Sequence, residues 1–278
     1  MTTIREALEN TVARLATDSA RLDAEVLLAH VLGKPRSHLF AWPEKTLAEE
    51  ESARFATLIA RRASGEPVAY LTGRREFWSL ELEVTPATLI PRPETELLVE
   101  EALSRIPADA AWHIADLGTG SGAIALAIAS ERPRCRLLAV DRSPEALAEA
   151  ERNRARLGLS NLELRAGDWF EPLADERFQM VLANPPYVAE DDPHLERGDV
   201  RHEPRTALAA GPEGLDALRR IVEQAPDFLV PPGWLLLEHG RDQAPAVERL
   251  LLARGFRNPL TLADLAGHPR LTLARLVP

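Results

Sequence analysis

The chain has 278 residues, 45% of them hydrophobic and 27% charged, a balance that fits a folded globular protein and excludes a disordered one. No apolar run approaches the ~20 residues needed to cross a bilayer, Met1–Glu6 lack a signal-peptide pattern, and the single cysteine, Cys135, excludes a disulfide framework and a cysteine-rich metal site. The net charge of −10 arises wholly after residue 80, because residues 1–80 hold eleven basic and eleven acidic side chains; that counts against a duplex-binding surface, which needs clustered Lys and Arg.

From these bounds a cytoplasmic location without a membrane partner is expected. Ile4, Ala7, Leu8, Thr11, Val12 and Leu15 recur at helical spacing behind a Thr3 cap. A second stripe, Leu22, Val26, Leu27, His30 and Val31, stops at Gly33 and Pro35. His30 lies on its apolar face and reads as a core histidine rather than a ligand. A third stripe, Leu47, Phe55, Leu58, Ile59 and Arg62, ends at Gly65, so residues 1–65 are expected to form a small helical domain. The period then changes: Leu80, Leu82 and Val84 alternate with Glu81 and Glu83, which predicts a β-hairpin linker over 66–90.

Residues 91–278 carry the rhythm of a doubly wound sheet. Leu97, Leu98 and Leu103 mark an amphipathic helix. Strands are expected at 114–117, 137–140, 162–164, 181–183 and 234–237, with helices starting near Ala123 and at Ser143-Pro144 between them. This alternation predicts a parallel sheet covered on both faces. Leu271, Leu273 and Leu276 form a last strand with no helix after it, expected to be antiparallel.

Two motifs sit at strand ends, where such folds place ligands. Asp116-Leu117-Gly118-Thr119-Gly120-Ser121-Gly122 separates the first strand from its helix, and its glycines allow close backbone approach at a helix N-terminus. Ala123 breaks the G-x-G-x-x-G spacing of a dinucleotide site. Asp141, after the second strand, is placed to accept from the ribose hydroxyls of a nucleoside, and Asp168-Trp169, after the third, to contact an adenine amino group and flank its ring. Asn184-Pro185-Pro186-Tyr187 follows the fourth. Its prolines fix φ and remove two donors, and Asn184 is held out of the helical region. The product is a stiff ledge bearing an amide, outward carbonyls and an aromatic ring, suited to a flat group that carries an NH2. Taken alone, the tetrapeptide could equally be a rigid turn.

Together with Arg21–Glu25, Gly65–Tyr70, Arg75–Trp78, Leu89–Pro93, Gly167–Phe170 and Glu238–Gly240, these segments resemble the HemK/PrmC release factor glutamine methyltransferases along nearly the whole chain. The resemblance implies a Rossmann-like methyltransferase sheet with a terminal antiparallel strand, and an N-terminal helical domain that docks the protein substrate. It implies that S-adenosyl-L-methionine is bound by Gly118, Thr119, Gly120, Ser121, Gly122, Asp141, Asp168, Trp169 and Asn184, leaving S-adenosyl-L-homocysteine as product. It further implies that Asn184, Pro185, Pro186 and Tyr187 hold the glutamine of the Gly-Gly-Gln loop of class I peptide-chain release factors, with Asn184, Pro185 and Tyr187 catalytic. Asn184 Oδ1 and the Pro185 carbonyl would take the two amide hydrogens while Pro186 and Tyr187 clamp the amide plane.

Phe77, Ile90, Pro91 and Arg92 are candidates for the substrate entrance, and Glu203 and Arg205 for an ion pair that orders the loop after Tyr187. No set of His and carboxylates has metal-ligand spacing and no Ser/His/Asp elbow occurs, so metal-free chemistry on a monomer is expected. Two other readings compete: methylation of an exocyclic amino group in DNA or RNA, and noncatalytic S-adenosylmethionine binding. The acidic charge counts against the first. The intact ledge counts against the second.

Overall fold

The computed structural model describes residues 2–15 and 17–278. It divides into two compact units, Met1–Arg74 with Arg197–His202, and Arg75–Glu196 with Glu203–Pro278.

The first unit is helical: α1 (Ile4–Val12), α2 (Ala20–Leu32), α3 (Arg36–Ala41), α4 (Glu49–Ala63) and α5 (Val68–Thr72). Thr3 and Glu6 close a reciprocal capping box on α1, and Gly33 ends α2 at φ 60°, a left-handed turn that glycine adopts without penalty. Ile4, Leu8, Leu27, Leu28, Phe55 and Ile59 form its core. The α2 stripe differs from expectation, because Leu22 and His30 are exposed while Asp23 and Glu25 are buried. Those two acids are tolerated inside because each has cations. Asp23 Oδ2 accepts from the buried Arg62 Nε at 2.8 Å, and Arg62 also reaches Asp199 at 2.7 Å. Glu25 pairs with Arg21 and Arg36, each at 2.6 Å. Residues 66–73, expected to open the hairpin, hold helix α5 instead, and the strands begin only at Arg74.

The second unit opens within β1 (Arg74–Phe77), which forms a two-stranded sheet with β2 (Leu80–Glu83) and is followed by α6 (Glu96–Arg105). The main sheet contains β3 (His113–Leu117), β4 (Arg136–Asp141), β5 (Leu162–Ala166), β6 (Phe178–Ala183), β7 (Leu229–Glu238), β8 (Phe256–Ala263) and β9 (Pro269–Leu276). Between them run α7 (Ala123–Glu131), α8 (Pro144–Leu157), α9 (Asp216–Gln224) and α10 (Ala244–Ala253). The order across the sheet is β5-β4-β3-β6-β7-β9-β8, parallel through β7. The carboxyl end carries an antiparallel pair, β9 lying between β7 and β8, where the sequence predicts a single strand. Strand β8 escapes the pattern because it is an edge: apart from Phe256 its residues are half-buried or exposed, so no apolar alternation marks it.

One hydrophobic cluster fills each face. Ile114, Leu137, Leu182 and Leu236 point to the face covered by α6 and α7, while Leu117, Val140, Val181 and Leu235 point to that covered by α9 and α10. Helix α7 is buried at every position from Ala123 to Ala129, which its run of alanines permits. The β1/β2 hairpin is stitched to the sheet by Asn153 of α8, fully buried, whose Oδ1 accepts from Glu83 N at 2.7 Å while its Nδ2 donates to Glu83 O and Ser121 O at 3.0 Å. Asn153→Ala leaves these buried backbone groups unpaired and is expected to cost about 2 kcal/mol. A lower urea midpoint at unchanged circular dichroism would report it.

Candidate active site

Strand order reverses at β3, because the chain runs outward through β4 and β5 and then returns to pair β6 on the other side of β3. Register aligns the strand ends: Leu117 is opposite Val140 on one side and Ala183 on the other, and Ala183 is opposite Leu237. One step further, Asp141, Gly118, Asn184 and Glu238 leave the sheet in a row. A cleft of about 320 Å³ opens there.

Gly118, Thr119, Gly120, Ser121, Asp141, Asp168, Trp169, Asn184 and Pro186 line this cleft. Three residues predicted to belong to the site do not. Gly122 lies behind the loop as the N-cap of α7, at φ 87°, where an added Cβ would come within 2.9 Å of Leu126. Pro185 is buried, and Tyr187 turns its hydroxyl away toward Glu238 Oε1 at 3.5 Å. Of the entrance candidates, Pro91 and Arg92 line the cleft, whereas Phe77 and Ile90 are buried core. The expected Glu203–Arg205 pair does not form. Glu203 is buried and takes the Arg92 guanidinium and the Ile90 N–H, while exposed Arg205 pairs with Glu196 at 2.7 Å. A buried carboxylate needs donors that reach inward to it, and Arg205 stays at the surface.

The glycine loop is held from within. Gly118 N and Thr119 N both donate to Val140 O, at 2.8 and 2.9 Å, and Gly120 N donates to Asp141 Oδ2 at 2.9 Å. The amides of Gly118, Thr119 and Gly120 are thus spent, and what these two glycines contribute is space. Gly120 has φ 57° and nothing within 4 Å of a built Cβ. Gly118 is covered by the Trp169 ring, 3.2 Å from such a Cβ, and Trp169 itself takes φ 55°, rare for a bulky residue. Asp141 also accepts from Ser143 N at 2.9 Å, which leaves lone pairs on both oxygens. The Asp168 carboxylate is paired with Arg220 of α9, a cleft residue that no sequence signal marked.

Behind the loop lies Asp116, 1% exposed, whose Oδ2 accepts from Thr119 Oγ1 at 2.7 Å and whose Oδ1 has no partner. Burial, with the Asp141 charge adding to it, pushes its pKa up to about 7. At the other end of the row, burial raises Glu238 to about 7 and Tyr187 to about 12. Asn184 Nδ2 donates to Thr95 Oγ1 at 3.1 Å, and Thr95, 4% exposed, also lines the cleft. The open space over Gly120, the lone pairs left on Asp141 and the stack of Trp169 on Gly118 fit an adenosine-bearing ligand.

Residues 93–199 match the Methyltransferase small domain family. The fold overlays on a methyltransferase from Pyrococcus furiosus with a TM-score of 0.56 at 16% identity, covering 80% of this chain and 100% of that one. Fold and cleft together define a Rossmann-like methyltransferase that uses S-adenosylmethionine. Residues 6–73 match the PrmC N-terminal domain family. The chain is 57% identical over 257 residues to the release factor glutamine methyltransferase of Pseudomonas aeruginosa, covering 92% of this chain and 93% of that protein. With the enzyme of the same name from Vibrio cholerae identity is 50% over 277 residues, covering 98% and 96%. This chain belongs to the release factor glutamine methyltransferase family.

Gly120→Ala adds a methyl group only to the open cleft, so the fold should lose about 1–2 kcal/mol from the left-handed backbone. Calorimetry should find S-adenosylhomocysteine bound at least tenfold more weakly, about 1.4 kcal/mol. The buried acids set a pH dependence. A carboxyl with its folded pKa raised to about 7 binds its proton more tightly in the native state, so its contribution is fully present below its ordinary range and is lost as pH rises toward 7. The urea midpoint should therefore fall between about pH 4 and pH 7, and Asp116→Asn should reduce that fall.

Proposed function

We propose that this chain transfers the methyl group of S-adenosylmethionine to the side-chain amide nitrogen of the glutamine in the Gly-Gly-Gln motif of class I peptide-chain release factors. It would act in the cytoplasm as a monomer, docking the factor through the helical first unit. The observation that carries the site assignment is the placement of Asn184. It leaves β6 level with Gly118, lines the same cleft, and has its Nδ2 engaged by Thr95, so Oδ1 remains as its acceptor.

An amide nitrogen is a weak nucleophile because its lone pair is delocalised into the carbonyl. Asn184 Oδ1, in the cleft lining, would accept one of its hydrogens and the carbonyl of Pro185, the next residue and just beyond that lining, the other, which fixes the nitrogen and favours pyramidal geometry. Pro186 forms the wall of the amide plane on the cleft side, and Tyr187 closes the ledge from outside the cleft lining. Gly118, Thr119, Gly120 and Ser121 give the donor close approach, and Gly122 caps the helix behind them. Asp141 takes ribose hydroxyls, while Asp168 and Trp169 hold the adenine. When bound, S-adenosylmethionine supplies an electrophilic methyl group on a sulfonium.

Acceleration then comes from orientation and from acceptors fixed before reaction, with no strong base required beside the amide. The nitrogen gains positive charge as it reacts, and oxygens already aimed at its hydrogens stabilise that charge. Its proton can leave afterwards to water.

Labelled S-adenosylmethionine incubated with a purified release factor, its Gly-Gly-Gln→Gly-Gly-Ala variant, DNA and RNA should mark the intact factor alone. Label on nucleic acid and none on the factor would overturn the reading. Asn184→Ala should lower kcat at saturating substrate by at least about a hundredfold.

A further inference from the structure

The acid that ends β7 lies behind the ledge, and the reaction as described does not use it. Glu238 is 2% exposed and its Oε2 has no hydrogen-bond partner. Such a buried carboxyl is costly and calls for a reason.

Strand geometry places it. Asn184 and Glu238 follow the opposed pair Ala183 and Leu237 on neighbouring strands. By alternation they continue the faces of Leu182 and Leu236, both in the cluster covered by α6. Thr95 is the residue immediately before α6 and meets the Asn184 side chain. Its Oγ1 accepts from Asn184 Nδ2 at 3.1 Å, and its hydroxyl acts on the Glu238 carboxyl against the effect of burial.

We propose, resting on the functional reading above, that Thr95 backed by Glu238 is a positioning residue that holds the Asn184 amide with Nδ2 inward and Oδ1 toward the substrate. A threonine hydroxyl has one proton. When that proton turns toward the Glu238 oxygen that lacks a partner, only lone pairs face Asn184, so the amide must present its NH2. The reversed amide would set Oδ1 against Oγ1, acceptor against acceptor. Asn184 could then offer the substrate hydrogens where an acceptor is needed, and the amide to be methylated has only hydrogens to give.

The relay is sensitive to the protonation of Glu238, which burial raises to about 7. The charged and titratable groups facing it are Arg270 from β9, Glu94 beside Thr95, and the Tyr187 hydroxyl, with Arg92 and Arg270 acting on the tyrosine. A protonated Glu238 donates to Thr95 itself. That frees the threonine proton for Asn184 Oδ1 and removes the bias on the amide.

The test compares Thr95→Val, which keeps the shape and removes the hydroxyl, with Thr95→Ser, which keeps the hydroxyl, in methylation of a purified release factor. Thr95→Val should lower kcat by about a hundredfold with S-adenosylhomocysteine affinity unchanged, and Thr95→Ser should retain kcat within about threefold. In the parent, kcat should rise through about pH 7, and Glu238→Gln should flatten that rise. Parent kcat in Thr95→Val, equal impairment in both threonine variants, or a loss traced to S-adenosylhomocysteine affinity would overturn the proposal, as would a parent-like pH profile in Glu238→Gln. A parent enzyme that leaves the release factor unlabelled would overturn the functional reading. An active parent beside a fully active Thr95→Val overturns only the positioning role.

Discussion

Parallel pairing of β3 with both β4 and β6 is the constraint on which the site depends. Register along these ladders brings the chain out of the sheet at the same level on each strand, so Asp141, Gly118, Asn184 and Glu238 emerge in a row. Connections diverge to opposite sides at β3, and the space between them cannot be filled by a crossover. The cleft is therefore a consequence of strand order. Each functional side chain needs only the correct residue at the end of its own strand.

What surrounds that row is built to keep it stiff. The glycine loop ties the amides of Gly118, Thr119 and Gly120 to Val140 and Asp141, which holds the cradle to the ends of β3 and β4. Asn153 ties the same loop, through Ser121, to the β1/β2 hairpin. Glu149, also fully buried, takes the hydroxyls of Thr85 and Thr88, and Thr88 is itself a cleft residue. Hydrogen bonds withdrawn from water hold geometry better than exposed ones, because an opened partner is left unsatisfied. Two buried carboxyls, Asp116 and Glu238, lie outside the cleft lining on β3 and β7.

Much of this was legible because each signal is local. Glycines with a broken dinucleotide spacing, an acid after the second strand, Asp168-Trp169 and Asn184–Tyr187 each sit within a few residues of an apolar run that marks a strand. The misses have the opposite character. Strand β8 is an edge with little buried surface, His30 turned out to be exposed, and Glu203 chose Arg92 in place of its neighbour Arg205. Arg220 and Thr95 reach the site from distant helices. No periodicity in the sequence encodes such a meeting.

The sequence by itself determined the alternating strand and helix order, the helical first unit, and the residue types at the strand ends, since these rest on contacts between near neighbours along the chain. Its resemblance to a known family named the donor and the acceptor. Only the tertiary structure decided which of those residues face the cleft, setting Gly122, Pro185 and Tyr187 outside its lining, and that Asn184 is bonded to Thr95 with Glu238 behind. The physical reason is that an amide has two ends of similar size, and which end turns inward depends on a hydroxyl 89 residues away in sequence.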